Sequence, residues 1–259
     1  MKDFVKRWLG GEQPQPEAST PCVGPRQRVY CIGDIHGRLD LLQELHRMIE
    51  ADAGVFDGER ILVYLGDYID RGMHSMQVID ELLDVPLPGF ENVYLMGNHE
   101  QTLLDFLQHP QAAQGWLSWG GREALLSYGV SFPPNLARMD VELIRDEFLT
   151  RLPGRHMEFF QNLQLMHVVG DYLFVHAGIR PGVAIQEQRN EDLLWIRQDF
   201  TDSREQHEHV VVHGHTISEE VAFCSNRIGI DTGAYCTGVL TCLVLEGEGQ
   251  RLLQTGEGR

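Results

Sequence analysis

A chain of 259 residues, 42% of them hydrophobic and 23% charged, has room for one large α/β domain and the composition of an ordinary globular protein. Its formal net charge of −17 argues against a nucleic-acid partner, because such binding rests on Lys and Arg neutralising phosphates; small anionic substrates stay open to it, since bound cations and a few arginines reverse the field locally. No apolar run approaches the roughly 18 residues that span a bilayer, and five cysteines without a Cys-x-x-Cys pair exclude a disulfide framework and a thiolate zinc site, so no membrane partner and a cytoplasmic setting with reduced thiols are expected.

Residues 1–11 carry Lys2, Lys6 and Arg7 without the apolar stretch of a secretory leader. Phe4, Val5, Trp8 and Leu9 read as part of a loosely docked arm. Pro14, Pro16, Pro21 and Pro25 extend that arm or linker to residue 27, which places the folded domain at 28–259. Short β-rich apolar runs then alternate with helical patterns. Strands are predicted at 29–32, 61–65, 93–96, 173–175 and 210–212, with helices at 39–49 and 76–83 between the first three. Residues 101–165 read as a mostly helical insertion with turns at Pro133-Pro134 and Pro153-Gly154. Runs at 221–223, 228–230, 239–245 and 251–254 read as consecutive strands. The alternation predicts an α/β fold with buried strands and a strand-rich C-terminal half.

Each of the five central runs ends in a residue able to hold a metal, usually beside glycine: Asp34 and His36, Asp67, Asn98, His176 and His215. Asp and Asn after a strand are also common turn formers, but turn chemistry does not call for the histidines. Strand carboxyl ends are where ligands gather in open α/β sheets, so these residues are expected in one crevice. Carboxylate, imidazole and amide donors together suit manganese, iron or zinc better than calcium. Six ligands are too many for one tetrahedral zinc that also holds water. A pair of ions sharing one carboxylate, about 3.5–4 Å apart, fits better.

Gly33-Asp34-Ile35-His36-Gly37, Gly66-Asp67-Tyr68-Ile69-Asp70-Arg71-Gly72 and Gly97-Asn98-His99-Glu100 resemble the three signature blocks of the phosphoprotein phosphatase family within the calcineurin-like metallophosphoesterases. His176-Ala177-Gly178 and Gly214-His215-Thr216 match its two later histidine motifs, in the same order. The resemblance implies a β-sandwich of two mixed sheets flanked by helices. It implies two divalent ions, manganese first, with Asp34 and His36 on one ion, Asp67 shared, and Asn98, His176 and His215 on the other. It implies Arg71 on the substrate phosphate together with Asn98 and His99, and Arg197 in Leu194-Trp195-Ile196-Arg197 as a second phosphate-binding arginine. His99, oriented by Asp70, would protonate the leaving group. Gly214-His215-Thr216 stands where eukaryotic members carry Arg-x-His-Gln, which points to the bacterial and bacteriophage lambda type and removes any expectation of regulatory subunits.

The implied reaction is direct attack by a metal-bridging hydroxide, with inversion at phosphorus. Serine alkoxide is a poor leaving group, so a His–Asp general acid is worth about 10²- to 10⁴-fold. A phosphorylated protein or peptide is the first expected substrate, with hydrolysis at serine or threonine. The alternative is a symmetrical dinucleoside tetraphosphatase or other small-nucleotide hydrolase, which would need further basic or aromatic groups along a groove. A non-catalytic metal-binding module is disfavoured, because ligands, acid and arginines are all present. Other features read as structural: Glu100 as a scaffold residue, Cys31 as a buried hydrophobe, His207 and His209 as surface residues, and His213 as packed or supporting the ligands. Trp116, Trp119 and Gly120-Gly121 read as aromatic packing or part of a cap, and 231–235 as a turn beside the site.

Overall fold

The computed structural model describes residues 20–54, 56–112, 114–133 and 140–256. Residues 1–19, with the apolar group of the N-terminal arm, lie outside the described residues, as does Pro134. Residues nearer the body are docked: Val23 is buried, its N–H donates to the Gly247 carbonyl, and the Tyr172 hydroxyl donates to the Pro21 carbonyl.

Two five-stranded mixed sheets form the body, as the resemblance implied. In the first, β1 (Gln27–Ile32), β2 (Glu59–Tyr64) and β3 (Glu91–Tyr94) run parallel. The antiparallel hairpin of β9 (Thr241–Glu246) and β10 (Gly249–Gln254) continues it beside β1. In the second, β5 (Tyr172–Val175), β6 (Val210–His213) and β8 (Arg227–Gly229) run parallel, with β4 (Met166–Val169) and β7 (Ala222–Phe223) as antiparallel edges.

Alternation along each strand divides the apolar residues between layers. Val29, Cys31, Ile61, Val63 and Leu65 meet Tyr172, Phe174, Val212 and Ile228 in the core between the sheets. Cys31 is fully buried there, as a hydrophobe. Tyr30, Ile32, Leu62 and Tyr64 face the other way, onto α1 (Leu39–Ala53) and α2 (Ser75–Asp84). The outer face of the second sheet is covered by Leu193, Ile196 and Phe200.

The predicted third strand is displaced. β3 ends at Tyr94, and Leu95 forms a single parallel bridge with Gln164, tying β3 to the chain entering β4. β4 was not predicted, because its half-buried Met166 and His167 and exposed Val168 lack alternation. The insertion is helical: α3 (Asn98–Gln108), a 3₁₀ turn (Gln114–Ser118), α4 (Gly121–Ser127), α5 (Val141–Arg151) and α6 (Gly154–Gln161). It packs beside the first sheet through Phe106, Trp116, Leu125, Phe148 and Phe160. Among the described residues no helix is long and apolar enough to cross a membrane.

Candidate active site

Six strand-to-loop junctions deliver polar residues to one crevice. Of the non-glycine residues described with positive φ, only Arg26 lies elsewhere; the others are His36 (47°), Asp67 (51°), Asp70 (74°), Arg71 (64°) and His215 (62°). Left-handed backbone at residues with a Cβ costs on the order of 1–3 kcal/mol each and persists only where the surroundings impose it. Here the loops are laced together. The N–H groups of Ile35 and His36 donate to the Asp67 carbonyl, Gly37 N–H to Tyr68, and Gly72 N–H to His36. Beneath them Glu100, fully buried, accepts from the N–H groups of Asp67, Tyr68, Ile69 and Gly97. Glu100 is thus a scaffold, as expected. Gly97 is required by contact: a Cβ there would collide with the Asp67 carboxylate.

The imidazoles are set up as metal donors. His36 Nδ1–H donates to the Ile69 carbonyl and His176 Nδ1–H to the Leu65 carbonyl, both at 2.9 Å. A carbonyl only accepts, so each Nε2 keeps a bare lone pair. Burial keeps these rings neutral, holding His36 near pKa 3 and His176 below its ordinary value. His36 Nε2 then faces Asp67 Oδ2 at 3.5 Å, and His176 Nε2 faces Asn98 Oδ1 at 2.9 Å and Asp67 Oδ1 at 3.4 Å. His215, held near pKa 2 by burial, brings Nδ1 to 2.8 Å from the same Asn98 oxygen, where an Nδ1–H can donate, and leaves its buried Nε2 without a partner. At His36 and His176 the facing atoms are both acceptors. Lone pairs facing lone pairs are stable only with a cation between them. Nearby, burial and the charges of Asp231 and Asp67 push Asp34 well above the usual carboxylate range. This donor set therefore fits two divalent ions.

Donor atoms within reach of one another fall into two groups, His36–Asp67–His99 and Asp67–His176–His215, with Asp67 in both. Asp34 stands just outside, accepting the His215 backbone N–H at 3.1 Å, and lines the same cleft. His99 is committed differently. Its Nδ1–H donates to Asp70 Oδ2 at 2.5 Å, and its Nε2 lies 3.5 Å from the Arg71 guanidinium. Burial works against its charged form, but Asp67 and Asp70 outweigh that and raise its pKa to about 9.

The cleft is lined by Asp34, His36, Asp67, Asn98, His99 and His215 together with Arg71 and Arg197. The other two sequence-predicted site residues, Asp70 and His176, are fully buried behind it, against His99 and Asn98. Arg71 lies over the Tyr235 ring at 4.4 Å, which holds its planar fork in place. Arg197 donates to the His215 carbonyl.

Several neighbours were missed or misread. Trp116 is buried, as expected, but its indole N–H also donates to Asp70 Oδ2 at 2.5 Å. Asp231 and Tyr235, taken as parts of a turn beside the site, have separate places: Asp231 lines the cleft, and Tyr235 lies under the Arg71 guanidinium. Trp119 and Trp195 line the cleft mouth. Only contact between distant segments gives these residues a role; a Trp in an apolar helix or a Tyr in a turn carries no signal of its own. His213 is packed edge-on against Phe200, and His207 stacks on that same ring. His207 and His209 are half-buried, not the surface residues expected; for His207 the reason is the flat apolar partner that Phe200 offers.

A family model described as calcineurin-like phosphoesterase matches residues 27–237. A curated protein from Anoxybacillus flavithermus, named an asymmetrical bis(5'-nucleosyl)-tetraphosphatase, is 27% identical over 82% of this chain and 88% of its own length. A crystal structure described as a candidate diadenosine tetraphosphatase superposes with a TM-score of 0.59 at 22% identity, covering 93% of this chain and all of that one. A Saccharomyces cerevisiae serine/threonine phosphatase superposes at 0.54 and 15% identity, covering 89% of this chain and 80% of that one. At these identities both superpositions speak for the fold alone.

Proposed function

The chain belongs to the calcineurin-like phosphoesterase family, and on that premise we propose that it is a metal-dependent hydrolase of dinucleoside polyphosphates, cutting them asymmetrically. The phosphoprotein reading expected from the sequence gives way to its small-nucleotide alternative. The names of the curated relatives, similar across most of the chain, support that order, and they favour asymmetrical over symmetrical cleavage. The observation that carries the chemistry is the facing of bare acceptors, with His176 Nε2 2.9 Å from Asn98 Oδ1 and 3.4 Å from Asp67 Oδ1, and His36 Nε2 3.5 Å from Asp67 Oδ2.

In this reading Asp34, His36 and Asp67 would hold one ion, and Asp67, Asn98, His176 and His215 the other. Two divalent ions there, manganese first among them, would supply a water acidic enough to attack near neutral pH and would neutralise phosphoryl oxygens. Arg71, beside His99, and Arg197, beside His215, would clamp the phosphoryl group with Asn98 and His99, each guanidinium presenting paired N–H donors. A water oxygen forms the new bond to phosphorus as the bridging P–O bond breaks. The leaving polyphosphate takes the electron pair and, from His99 Nε2, a proton. Asp70 keeps His99 in the orientation and charge state for that transfer. A phosphate leaving group is less basic than an alkoxide, so dinucleotide cleavage leans on His99 less than phosphoserine hydrolysis does.

The test compares kcat/KM for diadenosine tetraphosphate, a phosphoserine peptide and a phosphotyrosine peptide with manganese, with chromatography of the nucleotide products. Preference for the dinucleotide with equimolar ATP and AMP is expected. Preference for either peptide, or ADP as the sole product, would overturn the reading.

A further inference from the structure

Trp119 and Trp195 come from separate parts of the chain. Trp119 follows the 3₁₀ turn of the insertion, and Trp195 ends α7 (Asn190–Trp195) beneath the second sheet. Their rings meet edge to face with centroids 6.3 Å apart. They are 51% and 37% exposed, unusual for the largest apolar side chain. Trp195 also meets the ring of His215 edge to face, so the pair begins at the metal donors. Both rings line the phosphate cleft, and both line a second recess of about 350 Å³ that opens from it, with Thr102, Asp105, His109 and Trp116.

Cleft and recess differ in chemistry. The cleft has two arginines and the metal donors; the recess is mostly aromatic wall with one carboxylate, Asp105, which accepts from Gln101 and retains further acceptor capacity. A phosphate is repelled from the recess. A flat, uncharged ring with N–H donors on its edge is suited to it, stacking on indole and donating to Asp105. Asp105 lies on α3, which begins at Asn98, so it sits about 10 Å along the helix axis from the metal donors. A ribose and a phosphate bridge such a span. A phosphotyrosyl ring, one oxygen from its phosphorus, does not.

We propose that Trp119, Trp195 and Asp105 form a nucleobase-binding corner that takes an amino-bearing purine of a nucleoside polyphosphate while its phosphates lie in the cleft. The proposal rests on the nucleotide reading above. It places the discriminating groove partly in the helical insertion, and the edge-to-face contact makes the site a corner with one open stacking face, not a slot.

Two measurements on the full chain test it. First, the ratio of kcat/KM for diadenosine tetraphosphate to that for p-nitrophenyl phosphate is compared in the native protein, Trp119→Ala and Trp119→Phe. Loss of one base–aromatic stack lowers the ratio roughly 5- to 150-fold in the alanine variant, through KM, and phenylalanine restores most of it. Second, AMP and ribose 5-phosphate are titrated against the native protein with tryptophan emission as readout. Saturable quenching by AMP alone is expected, and Trp119→Ala weakens it. Equal losses on both substrates, or equal quenching by both ligands, overturn the corner while native dinucleotide turnover keeps the substrate reading intact. Absence of native dinucleotide turnover overturns the substrate reading instead. A loss of phosphotyrosine turnover in Trp119→Ala as large as that for the dinucleotide makes the surface a general aryl site and also overturns the proposal.

Discussion

The floor of the cleft and its rim are built on different physical terms. The floor consists of strand-end loops whose polar atoms are buried, whose backbone is left-handed at His36, Asp67, Asp70, Arg71 and His215, and whose N–H groups converge on Glu100. The rim comes from the helical insertion and α7. It touches the floor through the Trp116 indole on Asp70, the Gly120 carbonyl accepting from Arg71 N–H, and the Trp195 ring against His215. The floor concentrates donors that need a cation; the rim orients two floor groups and shapes what lies beside them. A floor substitution should therefore end the chemistry, and a rim substitution should change its rate and its choice of substrate.

The strongest way to break that contrast is Asp67→Asn. Asp67 belongs to both donor groups, so the variant is expected to lose bound metal and activity together, by more than the ~100-fold typical of losing a group that only orients a ligand. Elemental analysis with normal metal content would deny Asp67 its shared place.

Next in size is His99→Asn, with kcat down about 10²- to 10⁴-fold on a phosphoserine peptide, a smaller fall on diadenosine tetraphosphate, and metal content near normal. The pH profile sharpens the same point. In the proposed mechanism the protonated ring is the active form, and its pKa is raised to about 9 by Asp67 and Asp70 against burial, so activity is expected to fall as pH rises through the folded pKa. A cation on Asp67 draws off part of that support, which puts the basic limb of the metal-loaded enzyme below 9. Asp70→Asn should move the limb lower still; an unmoved limb would assign it to another group.

Glu100→Gln keeps the shape but turns an NH₂ toward backbone donors. One donor left unpaired in a buried site costs about 1–3 kcal/mol, seen as a Tm lower by ~2–4 °C per kcal/mol in a domain of this size. An unchanged Tm would mean that the loops hold their strained backbone without it. The smallest effect belongs to the rim: Trp116→Phe retains the packing against Phe106 and removes only the donor to Asp70. A fall in kcat with KM little changed is expected, since a hydrogen bond to a charged group is worth about 1.5–3 kcal/mol. A rise in KM alone would place Trp116 with the substrate-shaping residues.

The same division marks what could be read in advance. Floor residues announce themselves because a metal donor after a buried strand is a local pattern: strand, glycine, ligand. The parallel strands β1, β2, β3, β5 and β6 and every ligand position follow from it, while β4, an edge strand without alternation, does not. Trp116, Asp231 and Tyr235 carry ambiguous local patterns, and their roles arise from neighbours 46 residues away for Trp116 and more than 160 away for Asp231 and Tyr235.

By itself the sequence determined the α/β class and which Asp, Asn and His residues gather at the strand ends, because strand periodicity and donor chemistry are written in short segments. Only the tertiary structure decided which Nε2 atoms are left bare, that Glu100 gathers four backbone donors, and that Trp119 and Trp195 meet at the mouth of the cleft. Those facts depend on where a carbonyl, a carboxylate or a ring from a distant segment comes to rest, and packing between the insertion and the two sheets sets that position.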